Sequence, residues 1–217
     1  MLVILTNIPT PYRTAFFNIL NKELKNIEME FHVLYCAKTE PRRFWDFKKE
    51  EQDYSFSFLK GIHPKFKGFY PHINFGVLKK IKKLNPDYII MAGSWNTPTI
   101  INTIRLKKRY KVKTIFWSEG HKNAQKINSN YYNKIRVKIL KKFDGFVVPN
   151  DNSKEYLKDL LDQQDLKIGF LPNTIDETFY NSSLVIDKES ISKKYNVDKN
   201  SISIVLVSTL SKRKGVK

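Results

Sequence analysis

Leu2-Val3-Ile4-Leu5-Thr6-Asn7-Ile8-Pro9-Thr10-Pro11-Tyr12-Arg13 is the stretch that decides the fold. Leu2 to Leu5 is a short, continuous apolar run, the pattern of a strand covered on both faces. Shortly after it, Thr10 stands where a helix N-cap is favoured. Pro11 follows at the first helical position, where its fixed φ and missing N–H do no harm. From Pro11 to Leu24, the side chains of Phe16, Phe17, Leu20 and Leu24 fall on one helical face. A strand that runs through a brief turn into an amphipathic helix is the opening unit of a parallel α/β sheet.

The same alternation recurs along the chain. Strands are expected at Glu30–Tyr35, Ser55–Leu59, Tyr88–Met91, Thr114–Trp117, Gly145–Val148, Ile168–Leu171 and Ile202–Val207. Thr97-Pro98 repeats the helix start signal, with Ile100, Ile101 and Ile104 inward. Two further helical segments are strongly basic. Asn74–Leu84 is expected to bury Phe75, Leu78 and Ile81 and to expose Lys79, Lys80, Lys82 and Lys83. Tyr132–Phe143 is expected to bury Ile135, Ile139 and Leu140 and to expose Lys134, Arg136, Lys138, Lys141 and Lys142. Right-handed crossovers then give a doubly wound parallel sheet with flanking helices, a Rossmann-like domain. Thr39–Asp53 reads as a long loop carrying exposed aromatics beside cations at Arg42-Arg43-Phe44-Trp45.

Composition narrows the function classes. The 217 residues are 41% hydrophobic and 13% aromatic, which excludes a disordered chain and a disulfide mini-scaffold. Cys36 is the single cysteine and no Cys/His cluster has metal-ligand spacing, so a reducing cytosol is expected and a metal is not. The N-terminus lacks a basic signal-peptide region and no apolar run approaches a transmembrane span, so the chain is expected to be soluble or peripheral. The formal charge is +18, and all of the excess lies between Lys60 and Lys142, where the only acids are Asp87 and Glu119. Such a one-sided field suits phosphates, an anionic membrane or nucleic acid.

In a doubly wound sheet the loops after the strands carry the chemistry. After the first strand, a helix N-terminus and Arg13 form an anion site, although Pro9 and Pro11 also read simply as turn stiffeners. There is no Walker A motif and no G-x-G-x-x-G. The loop Gly93-Ser94-Trp95-Asn96-Thr97 offers Trp95 either as a stacking platform for a sugar or as core. Ser118-Glu119-Gly120-His121 places a carboxylate, a flexible glycine and an imidazole together, which suits acid–base or polar chemistry. His32, His63 and His72 have no such company and read as incidental.

Four segments in this order, Asn7–Arg13, Glu119-Gly120-His121, Pro172-Asn173-Thr174-Ile175-Asp176 and Lys214-Gly215-Val216, resemble the N-terminal half of a GT-B glycosyltransferase of glycosyltransferase family 4. The resemblance implies an acceptor-side domain over residues 1–200. It also implies the start of a truncated nucleotide-sugar-binding domain over residues 201–217, with transfer in the cleft between the two domains. It places Pro9, Thr10 and Tyr12, with Trp95 and Asn96 of the later loop, on the acceptor or cleft side. Arg13, Arg213 and Lys214 fall at the donor phosphates, His121 with Glu119 at the reacting sugar, and Asn173 and Asp176 at the interdomain hinge. Transfer with retention, a nucleotide-sugar co-substrate and no cofactor or metal are implied as well. The sequence departs from the family at Ser208-Thr209-Leu210, where glycine-arginine-leucine is usual, and at Asn7-Ile8-Pro9, where many relatives carry a glycine pair. The family's two spaced glutamates are absent.

The expectation is thus a cytoplasmic enzyme, peripheral at the inner face of the cell membrane through its basic helices. It would act on a lipid-linked or polysaccharide acceptor in cell-surface or capsule polysaccharide synthesis. One rival is an inactive truncated fragment that binds acceptor, membrane or a partner subunit. Another is a basic nucleic-acid-binding module using Tyr131 and Tyr132, disfavoured because its aromatics are not interleaved with its cations.

Overall fold

The computed structural model describes residues 1–41, 43, 45–65, 70–105, 110–122, 129–177, 187–198 and 201–202. Seven strands form one parallel sheet: β1 (Leu2–Thr6), β2 (Phe31–Tyr35), β3 (Ser55–Phe58), β6 (Tyr88–Ala92), β7 (Lys113–Trp117), β8 (Gly145–Val148) and β9 (Ile168–Phe170). Their spatial order is β3-β2-β1-β6-β7-β8-β9, and every pairing is parallel. The order reverses between β1 and β6, which makes the loops after these two strands the switch point where such sheets bind ligands. A small antiparallel hairpin, β4 (Gly61–Ile62) with β5 (Ile73–Asn74), stands apart from the sheet.

The period-2 alternation of each strand sorts its side chains between two cores. Val3, Leu5, Ile89, Met91 and Phe116 lie on one face. They meet Val77 and Ile81 of α2 (Val77–Leu84), Ile100 and Ile104 of α3 (Pro98–Arg105), Leu140 of α4 (Asn130–Leu140) and Leu157 and Leu161 of α5 (Asp151–Leu161). Leu2, Ile4, Ala92 and Trp117 lie on the other face, under Phe17 and Leu24 of α1 (Pro11–Asn26) and the aromatic group of Phe31, Tyr35 and Tyr54. Helices therefore cover both faces, as the expected doubly wound sheet requires. The helix Lys188–Tyr195, α6, belongs to a second compact unit, residues 177–217.

Several local expectations are corrected. Strand Ile73–Asn74 and Gly76, at φ +72, precede α2, so the helix begins at Val77. The inward face is then Val77 and Ile81, while Phe75 and Leu78 are 60% and 41% exposed. In α4 the apolar contact comes from Val137, Ile139 and Leu140, and Ile135 points outward. Neither threonine start signal caps by its side chain. The Thr10 hydroxyl makes no cap bond, and the Thr97 hydroxyl donates to Ser94 O at 3.1 Å. The Thr39–Asp53 loop is tied down: Asn18 and Asn21 of α1 donate to Glu51 O and Asp53 O, and Trp45 Nε1 donates to Pro9 O at 3.1 Å. The expected strand Ile202–Val207 lies outside the described residues apart from Ile202.

Candidate functional site

A cavity of about 510 Å³ opens at the carboxyl edge of the sheet, above the switch point. The β1–α1 loop contributes Asn7, Ile8, Thr10, Tyr12 and Arg13, and the β6–α3 loop contributes Gly93, Ser94 and Trp95. The loop after β7 adds Ser118, Glu119, Gly120 and His121. Three loops far apart in sequence meet here because their strands are neighbours in the sheet.

Arg13 is the most closely held of these groups. Its Nη1 donates to Thr6 Oγ1 at 2.6 Å and its Nη2 to Glu119 Oε1 at 3.2 Å. The guanidinium also lies 4.8 Å from the centre of the Trp117 ring, a cation–π seat. The Arg13 side chain is 14% exposed and that of Glu119 47%. Arg13 is therefore part of the wall, with one edge, Nε, left without a partner. Glu119 serves as its counter-ion, and His121 stands exposed at the rim.

Buried polar atoms without partners concentrate at this cavity. Thr10 Oγ1, Arg13 Nε and Trp117 Nε1 all belong to its lining and make no hydrogen bond. On the α4–α5 side, Arg136 Nε and Tyr156 Oη also lack a well-aligned partner, with the guanidinium 5.5 Å from the Tyr156 ring. Burial raises the Tyr156 phenol above its usual range, and the Arg136 charge opposes part of that rise. Buried polar groups are nearly always satisfied, so a cluster of unsatisfied ones around a hollow points to a polar ligand. Arg136, expected on the solvent face of its helix, instead lines the hollow.

The remaining expected residues distribute as follows. Trp95 is half-buried, packs 5.2 Å from the Tyr132 ring and lines the cavity, so it is both a core residue and an available ring. Asn96 turns aside toward the Tyr132 hydroxyl at 3.5 Å. Pro9 is buried, with its carbonyl held by Trp45. Asn173 and Asp176 are exposed, and Asp176 ends the first compact unit, residues 1–176. Arg213 and Lys214 lie outside the described residues. Among the described residues no His/Cys/Asp/Glu group could hold a metal.

Sequence reasoning missed the far wall. Glu40 and Arg43 line the same cavity, and Glu40 Oε1 accepts from Asn7 Nδ2 at 3.2 Å and from His72 Nε2 at 2.9 Å. His72 and His63, read as incidental, are hydrogen-bonded to each other at 2.9 Å. Only one weak signal was available: Glu40 sits just past a strand end, in a loop too long to be a mere connector.

No family model and no curated protein sequence matches the chain. Solved structures do match. A glycosyltransferase from Rickettsia africae aligns with 92% of this chain and 50% of its own, at TM-score 0.57 and 14% identity. HepE (Alr3699) from Anabaena, solved with UDP and glucose, aligns with 90% of this chain and 49% of its own, at TM-score 0.57 and 11% identity. The chain spans about half the length of these structures, and over that half it has their α/β, Rossmann-like fold.

Proposed function

We propose that this chain is the acceptor-side half of a nucleotide-sugar-dependent glycosyltransferase that extends a lipid-linked or polysaccharide glycan. The observation that carries the reading is the switch-point cavity, where Arg13, Glu119 and His121 converge with unpartnered polar atoms. The family 4 resemblance supports transfer with retention, and a place in cell-surface polysaccharide synthesis goes with it. The UDP and glucose bound by HepE are consistent with a nucleotide-sugar donor here.

In this reading Arg13, locked by Thr6, Trp117 and Glu119, presents a fixed positive charge at the cavity. A preorganised cation stabilises the negative charge that builds on a departing diphosphate without having to reorganise. By the resemblance, Arg213 and Lys214, outside the described residues, are assigned to the donor phosphates as well. His121 donates a hydrogen bond to a hydroxyl of the reacting sugar, and Glu119 keeps Arg13 in place. Thr10, Tyr12 and Trp95 shape the acceptor side, buried Pro9 and the Tyr132-facing Asn96 support them from outside the cavity, and the resemblance assigns Asn173 and Asp176 to the hinge. The scheme uses neither metal nor cofactor.

The inner membrane surface is the proposed workplace. No helix of the described residues is long and apolar enough to cross a membrane. Exposed Phe75 and Leu78 beside Lys79, Lys82 and Lys83 instead form an apolar edge framed by cations. Each such cation contributes about 1 kcal/mol near an anionic leaflet. Sedimentation with phosphatidylglycerol vesicles but not with phosphatidylcholine vesicles at low salt is expected; equal behaviour with both removes the membrane part of the reading.

The transfer reading is tested on the complete gene product with UDP-, GDP- and dTDP-sugars and polyprenyl-diphosphate-linked saccharides, measuring nucleoside diphosphate release. Acceptor-dependent release that falls at least tenfold in His121→Ala, with an unchanged melting temperature, is expected. No release with any donor overturns the reading.

A further inference from the structure

The Glu40 wall is built too firmly for a loop tether. His72 is 1% exposed, and Glu40 18%. An ionised carboxylate can only accept, so His72 Nε2 carries the hydrogen between them. On its other side His72 Nδ1 is hydrogen-bonded to His63 Nδ1 across 2.9 Å, with the tautomers of the two rings setting which nitrogen donates. The hydrogen bond from His72 holds the Glu40 carboxyl below the usual carboxylate range, with the charge of Arg43 acting in the same direction. Burial, and after it the neighbouring His72, lower His63, while the Glu40 charge acts in the opposite direction.

Each member of the chain is anchored in turn. Thr99 Oγ1 donates to His72 O at 2.9 Å and accepts from Asn74 N at 3.0 Å. Asn74 Nδ2 donates to Cys36 O at 2.7 Å, so the β4–β5 hairpin is bolted to the end of β2. On the other side, Gly93 has φ +133, and a Cβ there would lie 2.5 Å from Asn7 Oδ1. The glycine is needed to seat the Asn7 amide whose Nδ2 reaches Glu40. Among the described residues both bonds to the Glu40 carboxylate fall on Oε1, and none falls on Oε2.

We propose that Glu40 selects the acceptor, its carboxylate accepting hydrogen bonds from hydroxyls of a pyranose ring, with His72 as the positioning residue that holds it in register. This rests on the transfer reading in one respect only: it takes the bound sugar to be the acceptor. Hydroxyls are the matching chemistry because a carboxylate repels phosphate. Arg43 beside Glu40 also makes this wall nearly neutral, suited to a neutral polyol. The half-buried Trp95 ring in the same cavity supplies an apolar surface for the sugar face.

The test titrates methyl α- and β-glycosides of common hexoses and N-acetylhexosamines into the chain, following the Asn7 side-chain amide and the His72 Nε2–H by NMR. At least one glycoside is expected to bind at millimolar concentration and to shift both signals. Glu40→Gln keeps an oxygen for Asn7 and His72 but loses the charge, and is expected to weaken binding at least tenfold. His72→Leu should match that loss and His72→Gln, which restores a donor, should recover most of it. Binding within twofold of wild type in Glu40→Gln, or shifts confined to Trp95 and His121, overturns the role of Glu40 and leaves the transfer reading standing on its donor assay. Silence from every glycoside overturns it too. If Glu40→Gln does not fold, the wild-type shifts decide.

Discussion

The two walls of the cavity are made in opposite ways. The Arg13 wall comes from loops that directly follow strands, so each of its groups is announced by a local strand–turn–helix pattern. The Glu40 wall is assembled across the chain: Glu40 meets Asn7 33 residues away and His72 32 residues away. The first kind of wall leaves its cation partnered by a half-exposed acid. The second fixes its carboxylate with a buried imidazole and a clamped amide. Local motifs thus mark where a ligand enters, while the most rigid recognition group is supplied by tertiary pairing that no short motif reports.

The largest expected effect contrasts two buried histidines. The His32 ring bonds to Ser57 Oγ at 3.0 Å, whereas His72 faces a carboxylate. Burial, aided by the charge of Lys80, lowers His32 to about 4 from 6.5. The folded chain then binds fewer protons than the unfolded chain between these values. Stability should therefore fall by up to about 3 kcal/mol as pH drops from 6.5 to 4. Denaturation at stepped pH checks this, and His32→Phe should flatten the profile over that window. A slope that survives in His32→Phe would assign the acid sensitivity elsewhere.

Gly93→Ala comes next, because it strikes the joint between the walls. The substitution forces a side chain into a positive-φ position and pushes Asn7 off Glu40. A cost of about 2 kcal/mol in urea unfolding is expected, with His72 retaining its bond to Glu40. An unchanged Asn7 side-chain amide signal in this variant would show that the glycine does not set the seat.

The sheet was legible because a parallel strand covered on both faces is apolar at nearly every position, as in Leu2–Leu5, Tyr88–Met91 and Gly145–Val148. Strand and helix order then determined which loops meet, so Arg13, Trp95, Glu119 and His121 could be grouped without coordinates. Helix faces were less legible. Asn74–Leu84 has a helical period, but β5 takes its first residues and Gly76 resets the phase, which puts Phe75 and Leu78 in solvent. Arg136 was misread for a related reason. A cation among lysines gives no sign that its helix turns it over a cavity. Glu40 carried only the weak signal of its long loop, and His63 and His72 carried none that points to it, because their hairpin meets Glu40 32 residues away.

The smaller effects separate the two members of the ion pair. Arg13→Ala removes a bond to the fully buried Thr6, the seat on Trp117 and the packing of a long stem, and should cost about 2 kcal/mol in urea unfolding. Glu119→Gln removes only a half-exposed charge and should cost well under 1 kcal/mol, as surface ion pairs do. Equal losses would mean that the pair, and not the stack on Trp117, holds Arg13. Trp45→Phe is the most local change, deleting the bond to Pro9 O for about 1 kcal/mol. Trp45 links the loop that carries Glu40 to the turn that precedes Arg13, so its loss loosens one tie between the walls while the Glu40–Asn7, Asn18–Glu51 and Asn21–Asp53 bonds remain. Amide hydrogen exchange should then quicken over residues 45–52 and stay unchanged at Thr14 and Ala15. Faster exchange at both places would show that the turn before α1 depends on the Glu40 loop, and that the two walls act as one element.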